Sequence, residues 1–419
     1  MSSLIVEVVR VDEVIPHPNA DRMEIAVVKG WRTCISKGQM KKGDTCVYLP
    51  PDSILPIELS DRLGVTKYLA EVRDEQGERI GARVKVARLR GEPSYGLTMP
   101  VENAEWGVGT DVAEHYGITK WEPPLECTDG DAEREHPAFH KYFNLEHLSN
   151  FPDAIKEGEE VVFTEKIHGK NCRLGLIRDT KDDGTPIWRF MCGSHDVRRK
   201  ELQTQRRRRT ERNPDGTPVM EQVLKNVRDD KGKVVIDPES GREMVELVEQ
   251  EKEWFYETTM RSQFWDALDS CNGIRGILVD LCNGQHNVVI FAEIYGSGVQ
   301  DMAYGFERGQ WGVRVFDITV DGKYLDVDTK FDVCKRACVP TVPILYRGPF
   351  SHEKVKEFVG GPTTICDADK VVGFKEREGI VITTVQEHPV NHPSKFFDRA
   401  ALKEVNFAYL ERKEGTKFH

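Results

Sequence analysis

Lys166 stands in the stretch Thr164-Glu165-Lys166-Ile167-His168-Gly169-Lys170-Asn171-Cys172-Arg173. An apolar, β-prone run, Val161-Val162-Phe163, precedes it, and Leu174-Gly175-Leu176-Ile177 follows. That order reads as strand, tight turn, strand, with Gly169 letting the backbone come close to a ligand. A lysine at a strand end beside such a turn is placed to be a nucleophile. Its amine works only when deprotonated, and desolvation or a cationic neighbour favours that form. Lys170 and Arg173 are such neighbours in sequence. A lone Lys-x-x-Gly is common, and a polar hairpin tip is the plain alternative.

Four further segments follow in order: Phe291-Ala292-Glu293-Ile294-Tyr295-Gly296, Val315-Phe316-Asp317-Ile318, Glu378-Gly379-Ile380-Val381-Ile382 and Leu402-Lys403. The ordered set resembles motifs I, III, IIIa, IV and V of the covalent nucleotidyltransferases, the nucleic-acid ligases and RNA capping enzymes. The His168-Gly169-Lys170-Asn171 form of the first motif is similar to RNA ligases; DNA ligases favour Asp where His168 stands. The front of the chain resembles the RNA ligases with an N-terminal OB domain, RNA ligase family 5. Residues 200–255 fall outside the resemblance.

The resemblance implies an ATP-dependent RNA ligase working through a lysyl-AMP on Lys166, with Mg²⁺ or Mn²⁺. It assigns nucleotide contacts to Glu165, Ile167, Arg173, Arg198, Glu293, Phe316, Glu378 and Lys403. Phe316 would stack on adenine, Glu165 would present its backbone to the base edge, and Arg173 would hold ribose or a phosphate. Lys403 would contact the α-phosphate, and Glu293 and Glu378 would serve the metal, in part through water. The family usually has two lysines in its last motif. Here Ala401-Leu402-Lys403 has one, so the other is missing or is replaced by Arg399 or Lys395. The implied substrate is RNA broken to a 3′-hydroxyl and a 5′-phosphate, as in a nicked duplex. A DNA ligase or capping enzyme shares the motifs, but a capping enzyme would place its OB domain after the catalytic one. A non-catalytic RNA-binding protein would not need Lys166, Glu293 and Glu378 intact.

These residues need a scaffold. At 419 residues the chain is expected to form two domains, since one core would be too large. Close-spaced strand signals at 4–11, Met23–Val28, Trp31–Ile35 and Thr45–Leu49 indicate a small β barrel. Arg83, Lys85, Arg88 and Arg90 alternate with apolar residues, which predicts one strand with a positive face for RNA, or else a solvated face. A loop is expected at 91–96. The Pro-Asn-Ala-Asp turn and Gly30-Trp31 look like tRNA-binding OB domains too. Prolines and acidic residues put a boundary near 120–140, with Trp121 as an interdomain plug. The fold expected is α+β: an OB-type barrel over 1–125, then an antiparallel-sheet adenylyltransferase domain over 126–419.

Strands are further expected at Trp188–Cys192, Asn287–Glu293, Gly312–Val320, Glu378–Thr383 and Leu402–Val405. Helices are expected at Val327–Cys338 and Glu353–Phe358, and a helix broken at Gly273 within 260–282. The charged insert at about 200–255 reads as a solvated, mobile segment or as an RNA-clamping arm built on Arg206-Arg207-Arg208-Arg209, with Val234-Val235-Ile236 a short strand or hairpin.

The net charge is −11, with 31% charged residues, so the average charge does not advertise nucleic-acid binding, although a local basic groove is compatible with it. Ten scattered cysteines without Cys-x-x-Cys argue against zinc and for reduced thiols. No apolar run has the length of a membrane span and no signal peptide opens the chain, which points to a cytoplasmic, monomeric enzyme.

Overall fold

The computed structural model describes residues 3–74, 77–122, 131–181, 183–227, 244–367, 370–392 and 395–412. Pro123-Pro124, Asp129-Gly130 and Val234-Val235-Ile236, all read from the sequence above, lie outside the described residues.

The N-terminal part is mostly sheet, with one short α-helix, Ile57–Arg62. A five-stranded sheet runs in the order Leu97–Met99, Thr45–Leu49, Glu7–Pro16, Met23–Val28, Trp31–Ser36. A four-stranded sheet follows with Thr119–Lys120, Ser53–Leu55, Arg79–Arg83 and Ala70–Arg73. Val6, Val8, Val47, Leu49, Leu55, Val84 and Met99 fill the space they enclose. The expected basic strand over 83–90 is two strands, because the chain leaves the ladder at Val84-Lys85-Val86. Ala87–Leu89 then pairs with Glu92–Ser94, so the expected loop at 91–96 is half of a hairpin turning at Arg90-Gly91. Arg90 adopts φ +48°, a left-handed turn conformation that ends the alternation.

The second part holds two larger sheets. One has five strands in the order Glu146–His147, Ala401–Val405, Gly379–Thr384, Glu160–Lys166, Ile344–Pro349. The other has six, Arg198–Arg199, Pro186–Gly193, Lys170–Thr180, Val288–Gly296, Trp311–Val320, Lys323–Tyr324. Their ladders are antiparallel except for Glu146–His147, which runs parallel to Ala401–Val405.

Side-chain alternation gives each sheet a dry face. Val161, Phe163, Ile380, Ile382 and Leu402 enter one core with Phe151 and Phe350. Cys172, Leu174, Ile290 and Ala292 enter another, covered by the helices Gln263–Asp269 and Asn272–Cys282 through Leu268, Ile277 and Leu278. Each fully buried side chain of this size contributes about 1.5–3 kcal/mol. The opposite faces, bearing Val162, Thr164, Val381 and Thr383 on one sheet and Asn171 and Glu293 on the other, meet across a cavity.

Two local readings need correction. Gly273 does not break the helix; it lies in the first turn of Asn272–Cys282, and the break is at Ser270-Cys271. A Cβ at Gly273 would lie 2.1 Å from the Ala337 carbonyl oxygen, so glycine is there for close packing. Trp121 is not a plug between domains: its ring lies 3.2 Å under the Arg83 guanidinium and its backbone N–H donates to the Asp52 carbonyl oxygen at 2.8 Å, all within the N-terminal part.

The helix Val327–Arg336 stops short of Cys338, which sits at φ +55°. Helix His352–Phe358 forms with Ser351 as its cap, the hydroxyl accepting from Lys354 N at 3.1 Å. The nine described cysteines are all free. Among the described residues no helix is long and apolar enough to cross a membrane.

Candidate active site

Strand Glu160–Lys166 pairs with Gly379–Thr384 and Ile344–Pro349, whereas Lys170–Thr180 pairs with Pro186–Gly193 and Val288–Gly296. The two strands flanking the central turn are therefore not a hairpin. Ile167-His168-Gly169 is the crossing from one sheet to the other, and Lys166 is the last residue before it.

Glycine makes the crossing possible. A Cβ on Gly169 would stand 2.2 Å from Ile294 O and 2.9 Å from Glu293 Cγ. The close approach is thus to Glu293 and its strand, and it brings that carboxylate beside the lysine. Gly379 does the same on the other side: a Cβ there would lie 2.2 Å from Glu404 O, so the start of the Glu378 strand presses against Ala401–Val405.

Lys166 sits at a neck between two cavities. The larger, about 460 Å³, lies between the sheets and is lined by Glu165, Asn171, Glu293, Phe316, Lys330 and Lys403 among others. The smaller, about 160 Å³, is lined by Trp31 of the N-terminal part, His147, His168, Glu293, Glu378 and Tyr409. Lys166, Ile167, Gly169 and Glu293 belong to both.

Two lysines and two carboxylates, buried or half-buried, lie together here. The Lys166 amine donates to Glu378 Oε1. Burial pulls Lys166 down, but the Glu378 carboxylate outweighs it with help from Glu293, and the amine is held above its ordinary value. The neighbours expected to activate it are absent: Lys170 is exposed and Arg173 is buried elsewhere. The depressed lysine is Lys403, brought to about 8 by burial and then by the Lys166 charge. Glu293 is raised to about 8 by burial, against the pull of Lys166 and with a push from Glu378. A buried carboxylate in this state would gain from an added cation.

Around this set lies a polar shell. Glu165 accepts from Thr363 Oγ1 at 2.5 Å, and from Thr364 N and Oγ1 at 2.7 Å each. His168 Nδ1 is 2.7 Å from the Tyr409 hydroxyl and 3.8 Å from Glu378, and its Nε2 pairs with Asp301, which Arg412 also holds. Burial lowers the His168 pKa despite those carboxylates. His147 is pushed well below its ordinary value by burial and then by Lys403.

Phe316 reaches the larger cavity because of a β-bulge. Phe291 opposes Asp317 and Ala292 opposes Val315, so Phe316 is the extra residue. Val313, Val315 and Ile318 stay in the core, while Phe316 and Asp317 both line the cavity. Phe316 packs edge-on to Tyr142, with ring centroids 5.0 Å apart.

Other expected contacts fall elsewhere. Arg173 is fully buried, donates to Ser194 O at 2.7 Å and Phe139 O at 2.8 Å, and lies 4.6 Å over the Phe139 ring. Phe139 covers it, so it is no wall of the cavity. Arg198 pairs with Glu133 at 2.7 Å and donates to Arg134 O at 3.1 Å. Arg399 does not stand in for a second lysine: buried, it binds Asp317, Glu387 at 2.5 Å and Tyr142 at 3.3 Å. Only the backbone of Lys395 is described.

In the N-terminal part Arg83 is held by Asp52 at 2.8 and 2.5 Å, and Arg88 donates to Glu411 O. Lys85 and Arg90 are exposed. The sequence reading noted Trp31 only as part of an OB-like pair and missed His147, Lys330 and Tyr409, since each enters the site from a distant segment.

Two carboxylates suit a hard divalent ion that keeps most of its waters. Among the described residues no group of three or more His, Cys, Asp or Glu is arranged to hold a metal by itself. Asn171 Oδ1, on the residue paired with Glu293, is buried without a hydrogen-bond partner and lines the larger cavity with Glu293, while Glu378 lines the smaller one that Glu293 also borders, so Glu293 with Asn171 or with Glu378 fits such an ion.

This geometry can be set beside known proteins. An OB-fold domain model matches residues 5–101, and an RNA ligase model matches residues 159–404. Among curated proteins none matches. Solved structures of a Naegleria gruberi RNA ligase share the fold. The form with pyrophosphate is 24% identical with a TM-score of 0.59, covering 98% of each chain. A lysine-to-alanine variant with ATP and manganese is 23% identical with a TM-score of 0.60, covering 97% of this chain and 98% of that one. The N-terminal part is therefore an OB fold followed by a ligase-like α+β body. Because the ligase model spans more than half of its 419 residues, the chain belongs to the RNA ligase family.

Proposed function

We propose that the protein is an ATP-dependent RNA ligase that joins a 3′-hydroxyl to a 5′-phosphate through an AMP carried on Lys166. The observation that carries this reading is the position of Lys166 at a neck between two cavities, flanked by Glu378 and Glu293. A nucleoside fits the larger cavity, with Phe316 against the base. The phosphates then pass Lys166 toward the smaller one. Once Lys166 Nζ has lost its proton to water, its lone pair attacks the α-phosphorus. The bond to the β-phosphate oxygen breaks and pyrophosphate leaves. Lys403 faces the developing charge. A 5′-phosphate oxygen next attacks the lysyl-AMP phosphorus, breaking the P–N bond. Finally the 3′-hydroxyl attacks the 5′-phosphorus, losing its proton, and AMP leaves. Positioning and charge neutralisation dominate such steps. Magnesium or manganese at Glu293 with Asn171 or with Glu378 would supply charge neutralisation at the phosphates.

Residues 1–125 form the domain that orients RNA, and 126–419 the transferase. A protein starting near 126 then retains lysyl-AMP formation and seals poorly. The substrate we favour is a nick in duplex RNA or an RNA–DNA hybrid, with ribose required on the 3′-hydroxyl side, since a site that bonds a 2′-hydroxyl rejects a deoxy end. The test is a set of four nicked duplexes, RNA or DNA on each side of the break, at matched enzyme and salt. Fast sealing only where the 3′-hydroxyl strand is RNA is expected; equal rates on the all-DNA nick would overturn the RNA reading.

A further inference from the structure

The insert is not an irregular loop where it is described. Leu202–Thr210 pairs with Glu253–Arg261, and Met220–Asn226 pairs with Val245–Glu251, giving a two-stranded ribbon in two stages. Its root is fixed. Arg261 bonds Glu201 at 3.1 Å, Asp266 at 3.2 Å and Asp269 at 2.5 Å. Trp265 Nε1 donates to Arg199 O at 2.9 Å and Ser262 N to Glu201 O at 2.8 Å. Just before the root, His195 and Asp196 line the larger cavity.

Charge is sorted along the ribbon. The stage at the root carries five arginines and two glutamates; the far stage carries four glutamates and one lysine. It is also sorted across the ribbon. In register, Gln203 opposes Met260, Gln205 opposes Thr258, Arg207 opposes Tyr256 and Arg209 opposes Trp254. Directly opposed residues share a face, and alternation puts these eight on one face. Both glutamates, Glu253 and Glu257, fall on the other, opposite Thr210 and Arg206. One face near the root thus has two arginines, two aromatics and no acid. A solvated face would mix the signs.

Arginine beside aromatics on one strand pair is the composition that grips an unpaired strand: cations follow the phosphates and rings stack on bases, which a duplex hides. We propose that this face of the ribbon binds single-stranded RNA flanking the break being sealed. The inference rests on the ligase reading for its substrate. The acidic far stage repels the backbone and confines the strand to the arginine-bearing stage.

The test uses the full chain and a fluorescein-labelled single-stranded RNA oligomer, with a blunt RNA duplex as control, in binding titrations across salt. Trp254→Ala should weaken single-strand binding at least about fivefold and duplex binding far less. Arg207→Ala with Arg209→Ala should reduce the slope of log affinity against log salt by about 1.4, and the double Lys variant should restore it. Lysyl-AMP formation from ATP alone should match the parent in every variant, which also reports folding. Unchanged single-strand affinity and slope would overturn the proposal, as would equal losses on duplex and single strand for Trp254→Ala. A parent that forms no lysyl-AMP while the variants still lose single-strand binding would sink the ligase reading and leave the ribbon's role standing.

Discussion

Two buried charge clusters border the same cavity and differ in one respect. Around Asp317 the carboxylate is paired on both oxygens: Tyr142 donates at 2.7 Å, Lys330 at 2.9 Å, and Arg399 binds it with both terminal nitrogens. Burial pushes Asp317 up, yet Arg399 and Lys330 hold it below the ordinary carboxylate value. Around Lys166, two carboxylates and a second lysine lie together, buried or half-buried, and Glu293 and Lys403 both shift to about 8, against their charged forms. A satisfied cluster costs little to keep and holds strands together. A cluster whose groups are shifted against their charged forms costs stability and is poised for a charged ligand. The comparison separates structural from chemical residues where sequence motifs list Phe316-Asp317 and Glu293 side by side.

The contrast is sharpest in activity. Glu293→Gln should slow lysyl-AMP formation about a hundredfold or more, read as radiolabel transfer from ATP. The same change should leave the melting midpoint at or above the parent's, because a carboxyl raised in the fold costs stability as the pH passes its ordinary value. A large loss of stability would place Glu293 with Asp317 and break the comparison.

Asp317→Asn should do the reverse in stability, costing about 3–5 kcal/mol in denaturant unfolding by leaving Arg399 and Lys330 buried and underpaired. The pH dependence follows from its depressed pKa. The Asp317 contribution is fully present above the unfolded value near 3.8 and is lost as the pH falls through the lower folded value. Melts should therefore show a steeper acid loss in the parent than in Asp317→Asn.

The smallest effect concerns the N-terminal basic residues. Arg83→Ala should cost about 1 kcal/mol of stability through its lost contacts with Trp121 and Asp52, and leave the salt slope of RNA binding unchanged. Lys85→Ala with Arg90→Ala should lower that slope by about 1 to 2. A slope change from Arg83→Ala alone would return it to an RNA-facing role.

How much of this was readable beforehand depends on the range of the interaction. Strands and helices with strong periodicity were legible, as were the motifs that bring Lys166, Glu293, Glu378, Phe316 and Lys403 to one place. Alternation could not say which face Phe316 takes, because a bulge is set by the partner strand. Arg173 reads as a ligand until Phe139 covers it, and Arg83 until Trp121 lies beneath it; both partners are remote in sequence. Trp31 enters only through docking of the OB domain, where Phe407 packs edge-on to it at 5.2 Å, and His147 through a two-residue strand paired with the distant Ala401–Val405. The insert's charges were visible, but their sorting onto faces needs the register.

The central claim is that Lys166 is the residue that carries AMP. Incubating the full chain with labelled ATP and manganese, then mapping the labelled peptide, tests it directly. We expect a single adduct on the peptide containing Lys166, none from GTP, and none in Lys166→Ala. Label that persists in Lys166→Ala, or that maps to Lys403, would contradict the account.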